Sequence, residues 1–195
     1  YSPIDNSFQE GEFPNKNRQS NGIIIHRNST TNFSANENFV CLICMDRLLS
    51  KGYKPQHIIL EPAIEVGHVN KPSYGDILVY NENYERLVLI ENKTYGSEFA
   101  KEWNNMQKDG GQLFSYVAAL GKCDWVCLYA ADFDKEVIYN SYLITLKDNE
   151  EYLNDQNANI KKEEEKKSYF KNATNQAELF KVWNESYQTG YSTKG

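Results

Sequence analysis

The chain contains little that would direct it to a membrane or bind it to nucleic acid unaided. No apolar run is long enough to cross a bilayer, and the N-terminus lacks the charged and apolar blocks of a secretory signal. The formal net charge is −6, whereas a free-standing DNA-binding protein is usually basic, because phosphate neutralisation dominates its affinity. We therefore expect no membrane association, a cytoplasmic location and, for any role on nucleic acid, delivery by other domains.

Cysteine is also scarce, with four residues at Cys41, Cys44, Cys123 and Cys127. The spacing of Cys41 and Cys44 resembles half of a zinc site or a redox pair. Both lie in apolar runs, however, and no nearby His or Cys cluster completes a metal-binding set. The pattern favours buried free thiols, which fit a reducing compartment.

The apolar content is sufficient for one globular domain of 195 residues, since 40% of the residues are hydrophobic and 13% are aromatic. Residues 1–33 are rich in Asn, Ser, Gly and Pro, and predict an irregular lead-in with one short strand at residues 23–25. Residues 34–146 carry the periodic apolar patterns of a folded core. Residues 147–195 are highly charged and predict a helical extension or a linker toward a further domain. The absence of an initiating Met at Tyr1 indicates a segment of a longer protein.

The patterns within the core alternate between helix and strand. The expected helices are 36–51, ended by Gly52 and started by a Ser34–Glu37 capping box, and 97–120, in two parts joined at Gly110-Gly111; a further short helix is expected at 176–187. The expected strands are 57–66, which Pro62 breaks, and 76–80, 86–93, 124–131 and 137–146, with the apolar run at 124–131 typical of a buried central strand. This order predicts an α/β domain with a mixed central sheet flanked by helices.

The most informative motif spans two neighbouring strands. Asp76 directly precedes the first apolar run, and Glu91 and Lys93 end the second run. Side chains alternate faces along a strand, so Glu91 and Lys93 point the same way. If the two strands pair, Asp76 can lie beside Glu91.

Two carboxylates and one ammonium at one spot suit a divalent metal and a phosphodiester. Carboxylate oxygens hold Mg²⁺, which keeps several waters and accepts phosphate oxygens as further ligands. Lys93 can orient the attacking water and offset the repulsion between the carboxylates. The structural alternative is that Asp76 is a turn residue and that Glu91 and Lys93 form a solvated strand end.

A second motif follows on the next predicted helix. Gln112 and Tyr116 are four residues apart and therefore share one helix face. Their amide and phenol can bond to a phosphate, a nucleotide or Lys93. The alternative is that Tyr116 packs in the core and Gln112 caps the helix.

With these motifs, residues 36–146 resemble the PD-(D/E)xK nuclease superfamily, and in particular the N-terminal nuclease domain of type I restriction enzyme R subunits and fused restriction–modification proteins. The resemblance implies a restriction-endonuclease-like fold and Mg²⁺-dependent cleavage of double-stranded DNA, with Mn²⁺ as a substitute. It also implies that Asp76 and Glu91 are metal ligands, that Lys93 assists the water, and that Gln112 and Tyr116 support the site.

Members of this family often have a further acidic residue upstream. Three candidates are present, namely Glu37, Glu61 and Glu65. Glu37 lies on the leading helix, where capping would explain it equally well. Glu61 and Glu65 lie on the strand predicted at 57–66. We rank Glu37 and Glu65 equally as additional metal ligands and Glu61 behind them.

The resemblance further implies partners, namely methyltransferase and specificity subunits or fused domains of a restriction–modification complex. The chain carries neither a nucleotide-binding phosphate loop nor a methyltransferase signature, so these activities would lie beyond Gly195. Three other interpretations stay open: a repair or recombination nuclease of the same superfamily, a non-catalytic scaffold with the nuclease fold, and a plain α/β domain in which every motif residue is structural.

Overall fold

The central feature of the structure, a computed structural model, is a mixed β-sheet with helices on both faces. The described residues are 3–29, 32, 35–65, 71–109, 111–147 and 174–175. The elements are β1 (Ile24–Ile25), α1 (Asn36–Lys51), a 3₁₀ turn (Pro55–His57), β2 (Ile58–Leu60), β3 (Ala63–Ile64), β4 (Ser73–Tyr74), β5 (Ile77–Tyr80), β6 (Arg86–Thr94), α2 (Ser97–Asp109), α3 (Gly111–Leu120), β7 (Trp125–Asp134), β8 (Glu136–Thr145) and β9 (Thr174–Asn175).

Seven of these strands form one sheet in the order β1-β2-β5-β6-β7-β8-β9. The pairs β1–β2 and β6–β7 are parallel, and the other neighbours in this sheet are antiparallel. The predicted α/β class with a mixed sheet is therefore confirmed. Within the described residues, no helix is long and apolar enough to cross a membrane.

Alternating side chains divide the core between the two faces of the sheet. On one face, Val40, Cys44 and Leu48 of α1 pack in a cluster that includes Val79 and Ile90. On the other face, α2 and α3 contribute apolar residues to a cluster that includes strand residues of the opposite parity. The members of that second cluster include Phe99, Met106, Leu113, Val117, Leu78, Leu89 and Leu128. Both faces of β6 and β7 are thus covered, which explains their nearly continuous apolar sequences.

Helix α1 follows the prediction at its C-terminus and departs from it at its N-terminus. Gly52 has a φ of 115°, and its N–H donates to the carbonyls of Leu48 and Leu49 at 3.2 and 3.0 Å, as in a left-handed glycine stop. The N-cap is Ala35, so the predicted capping box is wrong for this helix; Ser34 itself lies outside the described residues. Glu37 therefore lies in the first turn of α1 with no capping box to explain it.

The strand predicted at 57–66 with a break at Pro62 is observed as two strands, β2 and β3, between which the chain bends. Glu61 adopts a φ of 48°, in the left-handed region, and Pro62 follows it. The N–H of Glu61 still donates to the carbonyl of Asp76 at 2.8 Å, which continues the antiparallel pairing of Leu60 with Ile77 by one residue. Beyond the bend, β3 and β4 form a separate two-stranded sheet.

Both ends of the chain contribute to the main sheet. The predicted N-terminal strand is present as β1, and Phe8 and Ile23 of the same segment are buried in the core. At the other end, β9 pairs with β8. The helix predicted at 176–187 and the remainder of 148–195 other than β9 lie outside the described residues. All four cysteines are buried and free, as predicted.

Candidate active site

The β5–β6 hairpin brings Asp76 next to Glu91. Its antiparallel register pairs Ile77 with Ile90, so the preceding Asp76 faces Glu91 across the hairpin. The backbone N–H of Asn92 donates to Asp76 Oδ2 at 2.5 Å. The predicted pairing of the two strands is therefore confirmed, and it joins two residues that are far apart in the sequence.

Glu91 and Lys93 form an ion pair on the sheet face that α2 and α3 cover. Lys93 Nζ lies 2.8 Å from Glu91 Oε1, and the Glu91 side chain is only 4% exposed. The other carboxylate oxygen, Glu91 Oε2, is buried and has no hydrogen-bond partner among the described residues. On the outer side, Lys93 Nζ lies 3.6 Å from Glu37 Oε1, so α1 also supplies a carboxylate to this group.

The carboxyl groups of Asp76 and Glu91 resist ionisation in this environment. Burial raises the pKa of Asp76 well above its ordinary value, and the charge of Glu91 raises it further, against the Asn92 N–H and the Lys93 charge. Burial also raises the pKa of Glu91, although the charge and hydrogen bond of Lys93 oppose this. Two carboxylates that share one ammonium leave a negative site that a further cation would stabilise.

Lys93 remains an ammonium in this arrangement. Burial by itself would lower its pKa, but the charge and hydrogen bond of Glu91 outweigh burial, and Asp76 and Glu37 add to the effect, so the pKa rises. A lysine held in this form donates hydrogen bonds and does not accept a proton. It can therefore orient a water or a phosphate oxygen, but it cannot serve as a general base in this state.

Helix α3 presents Tyr116 toward the same centre. The Gln112 amide donates to the Tyr116 hydroxyl, and Tyr116 is buried while Gln112 is exposed. Burial raises the pKa of the Tyr116 phenol, Gln112 and Lys93 lower it, and the charges of Glu91 and Asp76 raise it. The phenol thus lies within the field of the carboxylates, and the predicted sharing of a helix face by Gln112 and Tyr116 is confirmed.

The three upstream acidic candidates are in different environments. Glu37 contacts Lys93, as described above. Glu61 is buried and accepts two hydrogen bonds from Ser29, one from its N–H at 3.2 Å and one from its hydroxyl. Glu65 is exposed and lines a separate cleft of about 450 Å³ with Pro72 and Leu120. Of the three, Glu37 is therefore the one whose carboxylate reaches the Lys93 ammonium.

The sequence interpretation missed one acidic residue, Glu102 on α2. Its charge contributes to the raised pKa of Glu91, after burial and against Lys93. The signal was present in the sequence, because Glu102 falls between Phe99 and Met106 on the apolar stripe of an amphipathic helix. An acidic residue on such a stripe destabilises the fold unless a partner satisfies its charge, so its presence there indicates a partner or a functional role.

The donor set fits a divalent cation that completes its shell with water and phosphate. The observation that supports this fit is Glu91 Oε2, which is buried and has no hydrogen-bond donor among the described residues. The charge of Glu91 also acts on the Asp76 carboxyl group. In the same part of the chain, no group of three or more His, Cys, Asp or Glu residues that could hold a metal ion is present. Mg²⁺ does not require such a group, since one or two carboxylates commonly bind it together with substrate phosphates.

Comparison with known proteins adds no assignment, because no protein-family model matches the chain and no curated protein matches it either.

Proposed function

We propose that this chain is the Mg²⁺-dependent DNA endonuclease module of a type I-like restriction–modification system, with a restriction-endonuclease-like fold. The observation that carries the proposal is the convergence of Asp76, Glu91 and Lys93 at one point, with one buried oxygen of Glu91 left without a donor in the described part of the chain. A purely structural ion pair would give no reason for Asp76 to lie beside Glu91 at the cost of raising both pKa values.

Each residue has a distinct task in the proposed hydrolysis of a phosphodiester. Asp76 and Glu91 would hold the cation, and Mg²⁺ bound there would lower the pKa of the attacking water and stabilise charge on the phosphate oxygens. The ammonium of Lys93, fixed by Glu91, donates a hydrogen bond that orients the water for in-line attack. The Gln112–Tyr116 pair offers the phosphate a phenol whose orientation α3 fixes.

The acidic net charge of the chain supports the proposal that other subunits or domains bind the DNA. With a net charge of −6, this module attracts duplex DNA weakly, so binding and sequence choice would belong to methyltransferase and specificity subunits or fused domains. Glu37 is half-exposed beside Lys93 and is the upstream acid best situated to join the cation, whereas Glu65 is not.

The test is cleavage of supercoiled and linear duplex DNA with Mg²⁺ or Mn²⁺, using the chain with and without its partner subunits. Asp76→Asn, Glu91→Gln and Lys93→Ala should each abolish cleavage, whereas Glu98→Gln, an equal charge change at an exposed position on α2, should not. Wild-type cleavage by any of the three site variants would refute the assignment.

The form of DNA that is cleaved distinguishes the proposed endonuclease from a repair or recombination nuclease. Cleavage of closed circular DNA supports the endonuclease, whereas activity confined to linear or branched DNA would instead identify a repair or recombination nuclease. A folded wild-type protein that neither binds Mn²⁺ nor cleaves DNA with its partners present would identify a scaffold.

A further inference from the structure

A further cleft lies at the end of the sheet opposite the candidate active site. It has a volume of about 380 Å³ and lies between residues 13–15, the β5–β6 hairpin and the segment before β7. Arg86 begins β6 and lines this cleft, whereas Glu91 and Lys93 lie near the other end of the same strand. Its lining, in the described part of the chain, includes none of the residues assigned to the candidate active site. The proposed function therefore does not explain this cleft.

A β-bulge places Tyr80 opposite Arg86 at the wall of the cleft. Val79 pairs with Val88 in the regular part of the hairpin. The register then shifts, and Tyr80 pairs with Arg86 rather than with Leu87. A shift of one residue reverses the face on which a side chain lies, and here it turns Arg86 toward α3. The bulge thus brings a phenol and a guanidinium together, and both residues line the cleft.

The Tyr80 hydroxyl is buried and has no hydrogen-bond partner within the described residues. Tyr80 is only 2% exposed, and its hydroxyl contacts the Arg86 guanidinium without the geometry of a hydrogen bond. Burial raises the pKa of Tyr80 to about 12, against the charge of Arg86, so the phenol keeps its proton at neutral pH. A buried hydroxyl of this kind is unfavourable unless a ligand or a water accepts its hydrogen bond.

Arg86 is a half-buried cation without a counter-ion. Its Nη1 donates to the carbonyl of Leu120 at 2.6 Å, and its guanidinium lies 5.6 Å from the centre of the Phe13 ring. Its Nε is buried and has no acceptor among the described residues, none of whose carboxylates forms an ion pair with it. By contrast, the exposed Arg18 pairs with Glu12 at 3.1 Å. The contacts of Arg86 with the fold therefore account for only part of its donors.

We propose that this Tyr80–Arg86 cleft is a binding site for a small organic anion, whose carboxylate or phosphate group accepts hydrogen bonds from Tyr80 and Arg86. Lys122 lines the same cleft and adds a second positive charge. The rings of Phe13 and Tyr84 also line it and suit a flat apolar body. The inference is independent of the proposed function, because the two sites share no residue.

The acidic residues of the lining provide a directional test of the ligand's charge. Glu85 accepts a hydrogen bond from the Asn81 amide at 2.9 Å, so its carboxylate has a partner away from Arg86. Burial raises the pKa of Asp124, although the charge of Lys122 opposes this. An ionised Asp124 would repel a bound anion and attract a bound cation. Asp124→Asn should therefore bind an anion more tightly than wild type does.

Titration with model compounds, followed by NMR of backbone amides and arginine side chains, tests the inference. The probes are benzoate, phenyl phosphate and inorganic phosphate, with benzamidine as a cation of the same shape as benzoate. In wild type, benzoate or phenyl phosphate should cause saturable shifts of the Tyr80 amide and the Arg86 Nε–H, and benzamidine should cause none. The tighter of the two organic anions identifies the acidic group that the site prefers. Absence of saturable shifts with either one, or equal affinity for inorganic and phenyl phosphate, would overturn the inference.

Variants at the wall of the cleft separate binding from structure. Tyr80→Phe removes only the hydroxyl, so affinity for the organic anion should fall about tenfold. Without the anion, its unfolding temperature should equal or exceed that of wild type, because the lost hydroxyl has no partner in the described residues. Arg86→Met should lose at least as much affinity. The controls Tyr95→Phe and Lys101→Met make matched changes at exposed positions and should bind as wild type does.

A purely structural role for the pair gives a different pattern. A Tyr80→Phe variant with a lower unfolding temperature and unchanged anion affinity would overturn the inference. Arg86→Lys serves where Arg86→Met does not fold; it retains the charge and loses the planar set of donors, so it should also bind about tenfold more weakly. Weaker anion binding in Asp124→Asn, or tighter binding of benzamidine than of benzoate, would identify a cation site and equally overturn it.

Discussion

The backbone N–H of Asn92 donates a hydrogen bond to Asp76 Oδ2 at 2.5 Å, so the strand that carries Glu91 also fixes the other acid. The antiparallel register of the hairpin places the two carboxyl groups opposite each other, and this bond holds the Asp76 side chain there. It also partly stabilises the ionised form of Asp76, which burial and Glu91 oppose. Ionisation of Asp76 is therefore unfavourable in the folded protein, and the stability of the metal-free protein should depend on it.

We expect Asp76→Asn to stabilise the metal-free protein at pH 7. The pKa of Asp76 is raised on folding above 3.8, so the group favours the folded state at low pH, and this contribution is lost as the pH rises through its folded pKa. In a chain of this size, each gain of about 1 kcal/mol raises the unfolding temperature by about 3 °C. Thermal unfolding in EDTA from pH 4 to 8 measures the difference.

The matched control for that experiment is Asp134→Asn, which removes the same charge from an exposed position. It should leave the pH dependence unchanged. An Asp76→Asn variant less stable than wild type in EDTA at pH 7 would show that Asp76 is a structural acceptor for Asn92.

Glu91 and Lys93 should be strongly coupled in a double-mutant cycle. Lys93→Met leaves Glu91 buried without its ammonium, and loss of one partner from a buried pair typically costs about 3 kcal/mol. Adding Glu91→Gln should recover part of this loss, with a coupling energy of about 1–3 kcal/mol. Urea unfolding at pH 8 in EDTA measures the free energies of unfolding of wild type, the two single variants and the double variant. If the two substitutions have additive effects on this free energy, the pairing is contradicted.

Removal of the Tyr116 hydroxyl should slow the proposed cleavage without unfolding the protein. Tyr116→Phe keeps the buried ring and loses the bond to Gln112, and one hydrogen bond of about 1.4 kcal/mol corresponds to a tenfold change in rate. Gln112→Ala should cause a similar loss, and the double variant should be no slower than either, because both residues act through one bond. Multiplicative losses in single-turnover cleavage would show that the residues act separately.

The contribution of His57 to the stability of the folded protein should decrease as the pH falls from about 6.5 to 4. Burial, together with the charge of Lys54, lowers the pKa of His57 to about 4 from 6.5. The unfolded chain therefore binds a proton in this range that the folded chain excludes, so stability decreases with falling pH. His57→Phe retains the edge contact with Tyr84 and should flatten this slope in urea unfolding, although His26, whose pKa is also lowered by burial, should leave a residual slope.

Asp5 should anchor the N-terminal segment. Its carboxylate accepts hydrogen bonds from the Ser7 N–H and hydroxyl at 2.9 and 2.6 Å, from the Asn21 N–H at 2.8 Å and from the Ser20 hydroxyl at 3.0 Å. Asp5→Asn replaces an acceptor oxygen with a donor and should cost about 2 kcal/mol. Denaturant unfolding at pH 7 measures this cost.

The pH dependence provides the internal control for Asp5. The Ser7 and Asn21 bonds lower its folded pKa below 3.8, so its contribution is present above that pH and is lost as the pH falls below it. The difference between wild type and Asp5→Asn should therefore shrink in strong acid. A difference that is independent of pH would show that the charge of Asp5 does not matter.

The helix and strand pattern was largely readable from the sequence because it depends on local periodicity. Helix α1 was predicted at 36–51 and is observed over those residues, and Gly52 ends it as expected. The two parts of the helical region 97–120 and the strands on either side were also recovered. The break at Pro62 was also expected, but the separate β3–β4 sheet beyond it was not, because that pairing depends on contacts between segments that local patterns do not encode.

The sequence by itself determined the residue types of the candidate site and the faces on which they lie. Alternation along β6 placed Glu91 and Lys93 together, and helical spacing did the same for Gln112 and Tyr116. Only the tertiary structure decided that Glu37 reaches Lys93, that Ser29 satisfies Glu61, and that Glu102 Oε1 is buried without a partner in the described part of the chain. These outcomes depend on which faces pack together, and packing is set by contacts between segments that local patterns do not encode.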